Sequence, residues 1–114
     1  MTVYVDDMET PYGRMKMSHM IADSEEELHE MASRLGLKRS YYQGPPEHES
    51  HYDICLSNRI KALELGAILI TGRQITGMVV RRRETGELGK PEEAEAWFKE
   101  YRKKRNQLPP TTVV

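Results

Sequence analysis

The sequence predicts a small α/β domain: a three-stranded, mainly parallel sheet with flanking helices. Two observations carry that expectation. Short β-branched runs alternate with stretches of helical period, in the order strand, helix, strand, helix, strand, helix, helix. The segment AILIT is a continuous apolar run bounded by Gly66 and Gly72, which suits a central strand of a parallel sheet. Crossovers between parallel strands are right-handed, and ligands bind where the loops after such strands converge.

TVYV opens the chain as strand one and ends at Asp6-Asp7. Residues 8–22 contain Pro11, Gly13 and four methionines without a clean period, and read as a long loop. Ser24 and Glu27 fit a capping box. Behind it Leu28, Met31, Ala32 and Leu35 share one helical face, and Gly36 ends the helix. LKRSYYQ is expected as strand two, although Lys38, Arg39 and Ser40 suit a strand poorly. GPPEHES at 44–50 is irregular by composition. HYDICLS then leads into a helix striped by Leu56, Ile60 and Leu63 and stopped at Gly66.

After AILIT the pattern is ambiguous. Gly77 and Val79-Val80 suit a strand, whereas the Thr71/Gln74 capping box and the shared face of Ile75, Met78 and Val79 suit a helix; the helix is preferred. Pro91 opens the last helix, whose Ala94, Trp97, Phe98 and Tyr101 form a stripe expected to be core or interface. The organisation is one domain over residues 1–106 and a flexible tail over 107–114.

Hydrophobic residues make up 38% of the 114 and charged residues 31%, the balance of a soluble globular chain. No run approaches eighteen apolar residues, so no membrane partner is expected. Cys55 is the only cysteine, which excludes an intrachain disulfide and a cysteine-based zinc site; it reads as a small buried side chain. With no signal-peptide pattern at the N-terminus, a cytoplasmic setting is expected. A net charge of −1 argues against strong non-specific affinity for nucleic acid. The basic blocks Arg81–Arg83 and RKKR at 102–105 are expected as helix ends facing water rather than as a phosphate-binding patch.

The tetrapeptide YVDD at Tyr4–Asp7 has the form of the metal-binding tetrad of polymerase palms. It lacks the palm's context, because nothing upstream supplies a second strand with another metal-binding aspartate. Asp6 nevertheless falls where strand one ends, at the sheet edge on which sites are built. Two loops meet there in the expected topology. The first brings Asp6, Asp7, Tyr12, Arg14, Lys16 and His19; the second brings Gln43, His48, His51, Tyr52 and Asp53.

His51-Tyr52-Asp53 is the densest cluster. On an extended segment His51 and Asp53 share a direction while Tyr52 faces away. A carboxylate that orients an imidazole prepares it for general-base work or metal ligation. His51, Asp53 and His19 are therefore the candidate catalytic residues, and Asp6, His19 and His51 the candidate ligands of a divalent metal ion. Arg14 and Arg59 are the candidate anion binders, since guanidinium grips phosphate in a fork. His29, among glutamates on the first helix, reads as solvated surface. No phosphate-binding glycine loop, no Gly-x-Ser-x-Gly elbow and no His-Glu-x-x-His helix occurs.

With VYVDD, Gly13-Arg14, Ser18-His19, Asp23, Leu28-His29, His51-Tyr52-Asp53, Arg59 and Gly66-Ala67, the first seventy or so residues resemble the domain-of-unknown-function family numbered 4031, found in bacteria and their phages. The resemblance implies no activity. It adds weight to Arg14, His19, His51 and Asp53, brings His29 into a matching stretch, and leaves residues 72–114 outside.

The expected function is that of a small phosphate-ester-handling protein, with a metal-assisted hydrolase as the enzymatic form. Two alternatives stay open. One is a non-catalytic module for a nucleotide or other phosphate-containing small molecule. The other is an interaction protein that binds protein or nucleic acid through its basic C-terminal helix, alone or as a homo-oligomer.

Overall fold

The computed structural model describes residues 2–107; the expected tail from residue 108 onward lies outside the described residues. Five strands form one mixed sheet: β1 (Val3–Asp6), β2 (Thr10–Tyr12), β3 (Met15–Ala22), β4 (Tyr52–Cys55) and β5 (Ile68–Ile70). Four α-helices accompany it: α1 (Glu25–Arg34), α2 (Leu56–Glu64), α3 (Gly72–Thr85) and α4 (Pro91–Gln107). The α/β class is as expected, but the sheet is neither three-stranded nor mainly parallel. β3 pairs antiparallel with β1, β2 and β4, and only β1 and β5 run parallel.

The difference originates in residues 8–22, which form a hairpin arm and an eight-residue strand rather than a loop. Gly13, at φ 60°, supplies the left-handed turn between β2 and β3. β3 hides its period because the half nearest α1 is covered on both faces, so hydrophobic residues do not alternate with polar ones. AILIT is not central either. It lies at the end of the strand path, pairs only with β1, and leaves Ile68 and Leu69 about half exposed. LKRSYYQ forms a single 3-10 turn at Arg39–Tyr41, after which Gln43 bridges to His51.

The two faces of the sheet carry separate cores. Val3, Val5, Met20, Ala22, Tyr52 and Ile54 pack against α1 and Ala62 of α2. Tyr4, Ile21 and Ile70 pack against Ile75 and Met78 of α3, with Leu88 and Ala94 closing the far side. A fully buried aliphatic side chain contributes about 1.5–3 kcal/mol, so both faces are needed in a chain this short.

The helices form where signalled, but Ile60 of the expected α2 stripe is 58% exposed and Ala62 is the buried residue there, and the cap of α1 differs. Thr71 and Gln74 form the reciprocal capping box of α3. At α1, Ser24 accepts from the Glu27 N–H, but the Glu27 carboxylate takes the Ser24 hydroxyl instead of a backbone N–H. Among the arginines at the end of α3, Arg82 does not face water. It lies three and four residues beyond Val79 and Met78, on the buried stripe, and is 5% exposed. Its Nη1 donates to the Ala22 carbonyl at 2.9 Å, while Nε and Nη2 have no partner among the described residues. Cys55 is half-buried rather than buried. It precedes α2, and its hydrogen bond with the Ser57 hydroxyl holds the thiol below its ordinary pKa.

α4 lies on the outer side of α3. Its aromatic stripe forms a half-buried seam: Trp97 stacks on Tyr101 at 5.2 Å, and the Arg81 guanidinium sits 5.9 Å from the Trp97 ring centre. Gly77 makes the close approach possible, because a Cβ there would stand 2.7 Å from the Ala94 carbonyl oxygen. Gly77→Ala therefore sets a gain of about 1 kcal/mol in helix propensity against overpacking of about 1–3 kcal/mol, and the partner here is backbone that cannot swing aside. We expect a net loss of stability in urea unfolding, with an unchanged or increased midpoint contradicting this packing.

Candidate functional site

The site starts from a backbone irregularity. Val5 stands opposite Met20, whereas Thr10 stands opposite Met17. One arm of the hairpin thus needs two more residues than the other between these pairs, and the chain bulges at Asp6–Glu9. A bulge breaks the ladder and leaves N–H and C=O groups unpaired, so they must find other partners wherever they are buried.

Asp6 supplies most of them. Its side chain has no solvent exposure, and Oδ1 accepts from the N–H of Met8 at 3.2 Å and of His19 at 3.0 Å. The carbonyls are met from the other direction. The Ser18 hydroxyl donates to the Met8 carbonyl at 2.6 Å, and Arg59 Nη1 donates to Ser18 Oγ at 2.9 Å, to the Asp6 carbonyl at 3.3 Å and to the Met8 carbonyl at 3.4 Å.

The second oxygen of Asp6 faces His19. Oδ2 lies 2.7 Å from Nδ1 of His19. Asp53 is the cross-strand partner of His19, and its Oδ1 lies 3.8 Å from His19 Nε2 and 3.4 Å from His51 Nε2. The two imidazole centres are 5.7 Å apart. Asp6, His19, Asp53 and His51 thus form a row across β1, β3 and β4, on the face opposite Tyr52, as the alternation of HYD requires. Gln43 Nε2 donates to the other Asp53 oxygen at 2.8 Å, and His51 Nδ1 donates to the Glu49 carbonyl at 2.6 Å. That last bond engages Nδ1 and leaves Nε2 on the side of Asp53.

A cavity of about 590 Å³ lies beside the row. His19, His48, His51 and Gln43 line one wall; Ile21, Ile75, Val79 and Val80 line the other. The Asp6 contact raises the His19 pKa above the ordinary imidazole value; partial burial opposes it, and the charges of Asp6 and Asp53 add to the rise.

The remaining expected residues fall elsewhere. Arg14 is exposed in the β2–β3 turn, five residues from His19, or about 17 Å along the strand. Arg59 turns its Nη1 into the bulge. Asp7 accepts the Gly72 N–H at 3.0 Å and so ties the bulge to the start of α3. Of the expected metal ligands, Asp6 and His19 meet directly through Oδ2 and Nδ1, and the His51 ring centre lies 5.7 Å from that of His19. Among the described residues no three His, Cys, Asp or Glu side chains are grouped to hold a metal ion.

His29 is not solvated surface. It is half-buried on the other face of the sheet, where Nδ1 meets the Tyr52 hydroxyl at 2.8 Å and the ring stands edge-on to Tyr42. Burial, with the nearby Arg39 charge, lowers its pKa. Tyr42, Ser50 and Glu25 continue this network, Ser50 donating to Glu25 at 2.6 Å. Ser18 and the Glu49 carbonyl are the functional contributors that sequence reasoning missed. A serine amid polar and sulphur-containing residues gives no signal unless residues 8–22 are first recognised as paired strands.

The sequence pattern of a family described as "Protein of unknown function (DUF4031)" matches residues 3–82, more than half of the chain. The match runs beyond the seventy or so residues expected and takes in most of α3; α4 lies outside it. No curated protein and no solved structure matches the chain.

Two outcomes test this geometry. Asp6→Ala strands two N–H groups and a histidine at once, and we expect it to cost about 3 kcal/mol or more in denaturant unfolding; a cost under about 1 kcal/mol contradicts the bulge closure. The raised His19 pKa means that the folded state holds its proton more tightly than the unfolded chain. The resulting stabilisation is full below the ordinary value near 6.5 and disappears as pH rises through the folded value. The stability difference between the wild type and His19→Gln should shrink across that window, and a difference that grows with pH has the wrong sign.

Proposed function

The chain belongs to the DUF4031 family, and we propose that in it the Asp6–His19–Asp53–His51 row is the acid–base site of a small phosphate-ester hydrolase. The supporting observation is the 2.7 Å contact between a fully buried carboxylate and His19 Nδ1, which directs the opposite nitrogen of that ring to the side where Asp53 and His51 lie.

The two histidines are prepared for opposite tasks. His19, whose pKa the Asp6 contact raises, is the general acid. His51, with Nδ1–H committed to the Glu49 carbonyl, offers the lone pair of Nε2 and is the general base. In the reaction His51 takes a proton from water, the water oxygen attacks phosphorus, the ester P–O bond breaks, and His19 Nε2–H protonates the leaving oxygen. Protons exchanged with solvent restore both rings. Asp53, held by Gln43, keeps the two imidazoles within reach of one substrate.

The positive charge facing the phosphate comes from the His19 imidazolium rather than from Arg14 or Arg59, and the Ile75–Val80 wall takes the organic group. No step requires a metal ion.

Hydrolysis of bis(p-nitrophenyl) phosphate should fall off along an alkaline limb set by loss of the His19 proton. His19→Gln and His51→Gln should each lower kcat/KM by about 10²–10⁴-fold. Asp6→Asn, where it folds, should move the alkaline limb to lower pH by removing the cause of the raised pKa. A wild type without turnover, or two glutamine variants as active as the wild type, ends this reading.

A further inference from the structure

A second concavity borders the histidine cavity. It is a groove of about 1540 Å³ between the first turn of α3 and the last turns of α4. Met8 and Thr76 line both spaces, so they meet along the exposed edge of α3. The groove's charge is mainly positive: four of its six charged residues are cations. Arg73 stands on α3, and Lys99, Arg102 and Lys103 stand opposite on α4; all four are exposed.

Among the described residues the ion pairs of these helices, Arg81 with Glu93 and Arg83 with Glu84, do not include those four cations. The opposing acids are Glu95 and Asp7, and Asp7 is already engaged by the Gly72 N–H. A smaller hollow continues the band on the far side of Phe98, adding Arg83 and Arg105. Phe98 lies half-buried between the two hollows, with the Arg102 guanidinium 5.7 Å from its ring centre.

A chain whose net charge is −1 thus gathers cations in a track beside an aromatic ring. That combination fits a polyanion whose charges repeat along a flexible strand and whose flat groups stack. We infer that the α3–α4 groove binds the phosphate backbone of single-stranded nucleic acid and delivers one nucleotide to the adjoining histidine cavity. This rests on the acid–base reading of that cavity and names its substrate class as a phosphodiester within a strand. A single strand suits the site better than a duplex, because a paired base could not enter a side cavity of about 590 Å³ without leaving its stack.

The test uses the full chain and fluorescein-labelled twelve-nucleotide oligo-dT and oligo-U. Anisotropy should report binding that weakens steeply with salt. Lys99→Ala/Arg102→Ala/Lys103→Ala should weaken it at least tenfold and reduce the slope of log K against log salt by about two, at roughly 0.7 per phosphate contact. His51→Gln, which removes none of the groove's charge, should bind as the wild type does but leave the oligomer uncut.

Absence of binding at low salt overturns the inference. So does binding unaffected by the triple substitution, equal affinity for a duplex, or capture by phosphatidylserine vesicles without oligomer binding. The two readings fail separately. Turnover of the nitrophenyl ester without oligomer binding removes the groove and keeps the site. Groove-dependent oligomer binding with neither oligomer nor ester cleaved upholds the strand site and removes the acid–base chemistry.

Discussion

The structure turns on how the first strand ends. A bulge in the middle of a covered sheet is costly, since each unpaired buried N–H or C=O forfeits about 1–3 kcal/mol. Here one carboxylate, one hydroxyl and one guanidinium absorb the disruption. Asp6 accepts from the free N–H groups, and Ser18 and Arg59 donate to the free carbonyls. Arg59 belongs to α2 and Asp7 holds the start of α3, so the irregular segment is fastened to helices on both sides of the sheet. The rest of the site depends on this closure, because it presses an ionisable oxygen against an imidazole where solvent cannot compete.

The arrangement also explains the division of labour between the two faces. The face under α1 and α2 is closed by aliphatic packing and by the Tyr52–His29–Tyr42 network. The opposite face is apolar only where α3 covers it, and past Ile21 it opens into polar side chains. Alternation along β3 and β4 does the sorting. Met20 and Tyr52 go inward to one core, and their neighbours His19, His51 and Asp53 go to the other side. A one-residue slip of β4 would turn Asp53 toward the core and Tyr52 away from it.

Much of this was legible in the sequence, and for identifiable reasons. The capping residues, the periodic stripe of α1 and the glycine stops are local signals, and the helices formed where they pointed. The same holds for the shared direction of His51 and Asp53, a consequence of extended geometry alone. The sheet was not legible. Pairing of residues 8–22 is a long-range fact, and methionine, lysine and serine carry little strand preference. Treating that stretch as a loop forced a parallel topology in which Asp6 met His19 only as a neighbouring loop residue. The structure shows a relation the sequence did not suggest: Asp6 Oδ2 contacts Nδ1 of His19 directly. Arg59 shows the same limit, since a bulge that demands a donor is invisible until the strands are paired. Arg82 shows it again, since the middle one of three consecutive arginines can be assigned to the inner stripe only once α3 is placed on the sheet.

The notch at Gly77 has a mechanical meaning for the outer helix. With the Ala94 carbonyl seated where a methyl would be, α4 is keyed to α3 in both axial position and roll. A helix turns about 100° for each residue of displacement, so sliding α4 by a single position would carry its cations away from Arg73. The spacing of charge across the two helices is therefore set by an omitted carbon atom, one turn removed from any of the charges themselves.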